Sequence, residues 1–132
     1  MQRTTIHTDR VPSTGRPYSQ AIRFGGLLFV SGQVAWDPEG GGAIEGGIGA
    51  QTRRVLDNLK AILEEAGTSL EQVLKTTCFL VDGADATTFN EIYRTYFPAD
   101  QPARSTIVVA GLSPGLLVEV EAVAAVPDSD SV

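Results

Sequence analysis

Gln101-Pro102-Ala103-Arg104-Ser105-Thr106-Ile107-Val108-Val109 and, beyond a Gly/Ser/Pro connection at Gly111 to Gly115, Leu116-Leu117-Val118-Glu119-Val120-Glu121-Ala122-Val123 are two short apolar runs rich in β-branched residues. The pattern predicts two adjacent strands. Side chains alternate across a strand. Arg104 therefore shares a face with Thr106 and Val108. Glu119 and Glu121 share a face with Leu117, Val123 and Ala125. The opposite face of the second strand, Val118, Val120, Ala122, Ala124 and Val126, is wholly apolar and predicts the core.

Charge on an apolar strand is costly unless it is paired or bound. One reading makes Arg104 the partner of a glutamate in a structural ion pair, within the chain or between copies. The other makes Arg104 the holder of an anionic ligand, with a glutamate handling a proton or a water. On these strands alone the ion pair is the preferred reading, because structural pairs also place charges this way.

The chain has 132 residues, long enough for one domain with a real core. Hydrophobic residues make up 42% and charged residues 20%, the balance of a soluble globular protein. No apolar run is long enough to span a bilayer. Met1-Gln2-Arg3-Thr4-Thr5-Ile6-His7 has no apolar signal region, so a cytoplasmic location is expected. With one cysteine, Cys78, and one histidine, His7, no internal disulfide and no metal centre are expected. The net charge of −6, with no basic patch beyond Arg53-Arg54, argues against a nucleic-acid partner. An anionic small molecule remains admissible, because a pocket arginine acts locally.

Working outward, residues 1 to 8 suit an edge strand, and Asp9 to Gly15 a turn-rich connection. Ala21 to Phe24 and Leu27 to Ser31 flank Gly25-Gly26, a strong hairpin signal. Gln33 to Gly49 is glycine-rich but lacks the lysine and hydroxyl residue of a phosphate loop, so a mobile surface loop is expected. Ile48, Val55, Leu59, Ile62 and Ala66, widened by Leu56 and Leu63, predict a helix stopped by Gly67. Thr68-Ser69-Leu70-Glu71 has capping-box form. Val73 to Val81 predicts a strand in which Cys78 is a small core residue. Asp82 to Asp85 offers cap residues. A second helix carries Phe89, Ile92, Tyr93, Tyr96 and Phe97 and stops at Pro98. Residues 127 to 132 form a polar tail behind a single domain at 1 to 126.

This order predicts an α+β or α/β sandwich, with two helices on one face of the sheet. The other face needs a cover, and self-association supplies one while placing charges in clefts between copies.

Pro17-Tyr18-Ser19-Gln20-Ala21, Ser31-Gly32-Gln33, Leu56 to Ile62, Lys75-Thr76-Thr77, Pro102-Ala103-Arg104-Ser105 and Val118-Glu119-Val120-Glu121-Ala122 follow one another in this order. Together they resemble the RidA (YjgF) family over nearly the whole chain. The resemblance implies a chorismate-mutase-like fold, a six-stranded mixed sheet with two helices on one face, and a homotrimer with pockets between subunits. It implies hydrolytic deamination of reactive 2-enamino and 2-imino acids to 2-oxo acids and ammonia, without metal or organic cofactor. By the same resemblance Arg104 binds the substrate carboxylate and Glu119 handles the water. Tyr18, Ser31, Asn90 and Thr106 would line the pocket. Thr106 stands where the family often has cysteine, and Arg16 where it often has glycine.

That chemistry suits the residues. An arginine can grip a carboxylate through two parallel hydrogen bonds and fix the neighbouring imine carbon. A glutamate can then move protons as water adds and ammonia leaves. Spacing alone does not separate Glu119 from Glu121. Each of the other residues also has a plainer role: Tyr18 as a packing aromatic, Ser31 as a backbone partner, Asn90 as a solvent-facing helix residue. Two further functions stay open, a deaminase or hydrolase of a larger substrate on the same scaffold, suggested by Thr106 and Arg16, and a non-catalytic carboxylate binder or chaperone-like protein.

Overall fold

The computed structural model describes residues 1 to 128. Six strands form one mixed sheet: β1 (Arg3–Ile6), β2 (Ala21–Phe24), β3 (Leu27–Gln33), β4 (Val73–Leu80), β5 (Ala103–Val108) and β6 (Val118–Ala125). Their order in space is β1-β2-β3-β6-β4-β5. Two helices, α1 (Gly47–Glu65) and α2 (Ala86–Tyr96), complete the fold. No helix is long and apolar enough to cross a membrane among the described residues.

The alternation in β6 decides which face is core. Val118, Val120, Ala122, Ala124 and Val126 are all buried, as are Leu28 and Val30 on β3 and Thr76, Cys78 and Leu80 on β4. Against them α1 lays Val55, Leu56, Leu59, Ile62 and Leu63, each with no exposed surface. From α2, Phe89, Ile92 and Tyr93 are buried, and Phe97 follows just beyond its end. The opposite face of the sheet is uncovered. Phe24, Leu27, Phe29 and Ile107 stand there at 41% to 48% exposure, an apolar patch of the kind that marks an interaction surface.

Local signals explain most boundaries. Gly25 takes φ 61° in the β2–β3 turn, a conformation that glycine adopts without a steric penalty. Gly67, at φ 83°, ends α1. Its N–H donates to the Glu64 carbonyl, and that of Thr68 to Leu63, the paired closure of a Schellman motif. The Asp82 side chain accepts the Ala84 N–H at 2.9 Å and caps the 3-10 turn Gly83–Asp85.

Three expectations change. First, β5 is not beside β6. It pairs in parallel with β4 across the α2 crossover, and β4 lies between them. A parallel partner needs a long crossover connection, and α2 provides it. Second, the short helical turn expected after Thr68-Ser69-Leu70-Glu71 forms as the 3-10 turn Leu70–Gln72, but Ser69 makes no side-chain cap. Third, the glycine-rich segment is a closed turn. Trp36 bridges Ala43, the Asp37 N–H donates to the Gly42 carbonyl at 2.7 Å, and the Glu39 N–H donates to the Asp37 side chain at 2.9 Å. Residues 129 to 132 of the polar tail lie outside the described residues.

Candidate active site

Glu119 sits on the uncovered face, opposite Phe79 on β4. Its neighbour on β3 is not regular strand. The β3–β6 register shifts between Val30 and Gln33, so Ser31 and Gly32 lie in a bulge. Bulges re-aim side chains beside functional sites. A Cβ at Gly32 would collide with the Glu119 carboxyl, whose carbon lies 2.7 Å from that point. Glycine in this strand thus lets the carboxyl lie against the backbone, the close approach that a strand glycine signals.

The same bulge positions Tyr18. The Ser31 N–H donates to the Gln20 carbonyl at 2.9 Å, and its hydroxyl donates to the Ser19 carbonyl at 2.6 Å. Ser31 does the backbone work that its plainer role foresaw, and it also lines the cleft. Gln20 ties this segment to the N-terminal strand region: its amide oxygen accepts the Thr8 N–H at 2.8 Å, and its amide nitrogen donates to the Thr8 carbonyl at 3.1 Å. Tyr18 is half exposed, and its hydroxyl accepts from Thr14 at 3.3 Å. Tyr18, Ser31, Glu119 and Glu121 line one cleft of about 340 Å³, together with Arg16 and Trp36.

Burial, followed by the charge of Glu121, raises the proton affinity of Glu119 above the ordinary carboxyl range. Loss of water destabilises the ionised form, and a like charge nearby does the same. A carboxyl of raised proton affinity in a cleft has the character of a group that could take up and return a proton.

Arg104 lies elsewhere. It stands opposite Thr76, which is fully buried on the helix-covered face and shares a 2.8 Å hydrogen bond between hydroxyls with Tyr93. The Arg104 guanidinium is seated over the rings of Tyr93 and Phe89, 4.8 Å and 5.8 Å from their centroids. A ring face attracts a cation but leaves its in-plane N–H groups free. Among the described residues the salt bridges are His7–Asp9 and Arg10–Glu64, and neither includes Arg104. Asn90 lines the same shallow cleft with Tyr93 and Gln101. Thr106 is opposite Cys78 and so on the Arg104 side of the sheet. Burial pushes the Cys78 thiol up, consistent with an inert core cysteine.

The predicted residues therefore form two groups. Tyr18, Ser31 and Glu119 come together on one face; Arg104, Asn90 and Thr106 gather at an edge on the other. An ion pair between Arg104 and either glutamate of the same chain is ruled out by the intervening sheet. Sequence reading also passed over the seats of these groups: Gly32 under Glu119, and Phe89 with Tyr93 under Arg104. A glycine inside a strand was the available signal for the first. The second needed the α2–β5 packing.

Residues 8–126 match the family described as endoribonuclease L-PSP. The chain belongs to this family, the RidA (YjgF) family of the sequence motifs. It is 46% identical over 124 residues to a RutC family protein of Pyrococcus abyssi, covering 94% of this chain and 98% of that one. It is 43% identical over 122 residues to the 2-iminobutanoate/2-iminopropanoate deaminase of Mus musculus, covering 92% and 90%. A solved structure of a conserved Rid family protein from Yersinia pestis superposes with a TM-score of 0.88 at 42% identity, covering 95% of this chain and all of that one. Among the described residues, no group of three or more His, Cys, Asp or Glu side chains is placed to hold a metal ion.

Proposed function

We propose that this protein hydrolyses reactive 2-imino acids, formed from 2-enamino acids, to 2-oxo acids and ammonia. The observation that carries this reading is the pairing of chemistries in its two half-sites. One offers a guanidinium that has no carboxylate partner among the described residues, over Tyr93 and Phe89. The other offers a half-buried glutamate with raised proton affinity, beside Tyr18 and Ser31. The named activity of the mouse relative supports the same assignment.

The two half-sites meet across the seam between copies of a homotrimer. The exposed apolar face and the free edge of β5 favour such an assembly, and a closed ring makes the same seam at every junction. Arg104 of one copy then faces Glu119, Tyr18 and Ser31 of the next.

At this seam Arg104 grips the substrate carboxylate through two parallel hydrogen bonds, which fixes the imine carbon. Water attacks that carbon; the new C–O bond forms as the C=N π pair moves to nitrogen. Glu119 accepts the proton the water loses and passes it to the nitrogen. The C–N bond then breaks as the hydroxyl gives up its proton to the Glu119 carboxylate and the carbonyl forms, releasing ammonia. Tyr18 and the Ser31 oxygen hydrogen-bond the water or the carbinolamine hydroxyl. Asn90 and Thr106 border the carboxylate. A protonated imine is already electrophilic, so the step needs no cofactor. The partner is a small molecule and the setting the cytoplasm; a net charge of −6 gives little hold on an RNA backbone.

Coupling to a serine or threonine dehydratase tests the proposal. The protein should speed release of ammonia and 2-oxo acid over buffer. A rate equal to buffer, in an assay where a known deaminase succeeds, overturns it.

A further inference from the structure

A second arginine borders the cleft that holds Glu119. Arg16 is exposed on the loop before Pro17, and its guanidinium carbon lies 5.5 Å from the centroid of the Trp36 ring. The loop is stitched in place: the Arg16 N–H donates to the Thr14 hydroxyl at 3.3 Å, that hydroxyl donates to Tyr18, and the Tyr18 N–H donates to the Arg16 carbonyl at 2.8 Å. Trp36 is anchored from behind, its carbonyl accepting from Arg54 at 3.2 Å. The cation is thus held at the cleft by a rigid platform, a cheaper arrangement for binding than a free side chain that must be ordered.

Two carboxylates, Glu119 and Glu121, line the cleft that Arg16 borders. Arg16 forms a salt bridge with neither. Nor does its charge count among the causes acting on Glu119, which are burial and Glu121. An arginine placed to activate or restrain Glu119 would lower its proton affinity. Arg16 leaves it raised. Beyond the Arg16–Trp36 pair a second hollow opens behind the loop, bordered by Val11, Gln33, Val34 and Asn58 and sharing Tyr18 and Gly32 with the cleft. The site therefore has room, and a positive charge, at the border of the cleft that holds Glu119.

We infer that Arg16 is a specificity-determining residue that selects 2-imino acids with a second acidic group, and that their distal carboxylate binds the guanidinium presented by Trp36. The inference rests on the imine-hydrolase reading and deepens it. Arg104 holds the carboxylate next to the imine carbon; Arg16 holds the one at the far end. A 2-imino dicarboxylate with two or three carbons between its acids brings a second carboxylate for Arg16 to bind. A small imino acid leaves Arg16 unused.

The test compares two substrates made in place by an amino-acid oxidase, 2-iminoglutarate and 2-iminopropanoate, with semicarbazide trapping the imine that the protein fails to reach. The readout is the ratio of their kcat/KM values in the unaltered protein, in Arg16→Gly and in Arg16→Lys. The ratio should fall about tenfold in Arg16→Gly through KM for the dicarboxylate, and recover in part in Arg16→Lys, which keeps the charge but not the fork. Raising the salt concentration should lower it in the unaltered protein but not in Arg16→Gly. A ratio that is the same in all three proteins, or equal losses on both substrates, overturns the assignment of Arg16. Failure of the unaltered protein on both imines instead overturns the imine-hydrolase reading itself.

Discussion

The Glu119 carboxyl lies against the Cα of Gly32, with no room for a methyl group between them. The contact joins β6 to the bulge of β3 and sets where the carboxyl can stand. In Gly32→Ala the added methyl must push the end of the Glu119 side chain aside. Because that end is flexible, the fold should survive, with a melting temperature close to that of the parent. Activity should fall by about 100-fold, as for a catalytic group misplaced by an ångström. Steady-state kinetics beside a thermal melt checks both halves.

The pH dependence follows from the raised proton affinity of Glu119. In the proposed reaction its ionised form takes the proton from water, so the rate should fall as pH drops through its raised pKa. Glu121→Gln removes a charge that contributes to the rise, and the acid limb of the kcat/KM profile should move to lower pH. Stability carries the opposite sign. A carboxyl with its folded pKa above its unfolded one stabilises the fold while protonated, and that contribution is lost as pH rises through the folded value. Glu119→Gln should therefore raise the melting temperature at neutral pH, a gain that disappears below the ordinary carboxyl range. A loss of stability at neutral pH would contradict the shift.

Arg104→Ala should keep the assembly and lose activity by about 100-fold or more, the worth of two hydrogen bonds to a charged group. Arg104→Lys should restore little, because an ammonium does not reproduce the planar fork.

Mixing separates a shared site from a private one. Arg104→Ala and Glu119→Gln should each be nearly inactive alone. Refolded together in equal amounts, they should regain activity at about a quarter of the seams, those pairing an intact arginine with an intact glutamate. No recovery in verified mixed assemblies would place each site within one copy.

Phe29 is 48% exposed on the uncovered face, beside Val123 of β6. Phe29→Glu should weaken association by about 30-fold or more, the effect of losing a central apolar anchor. Sedimentation should then show smaller species at concentrations where the parent is assembled, with activity lost in step.

The strands and helices were legible because their apolar spacing is strong. Val118 to Val126 alternates cleanly, and Val55 to Ile62 holds a helical stripe beneath the sheet. Gly25 and Gly67 mark turns that need positive φ. Strand neighbours were not legible. Alternation shows that Arg104 and Thr106 share a face, but only pairing shows which face of β6 that matches. Two apolar runs joined by a Gly/Ser/Pro stretch read as neighbours, although β4 lies between them. Without that neighbour, the side of the sheet on which Arg104 stands relative to Glu119 stayed open. The motifs nominated the residues; the parallel β4–β5 pairing divides them between the two faces of the sheet.

That division has a cellular corollary. The guanidinium and the carboxylate of a single copy are held apart by their own sheet. Under the proposed shared seam, a newly made chain would carry both reagents without reaction, and activity should then rise more steeply than linearly with the amount of protein made.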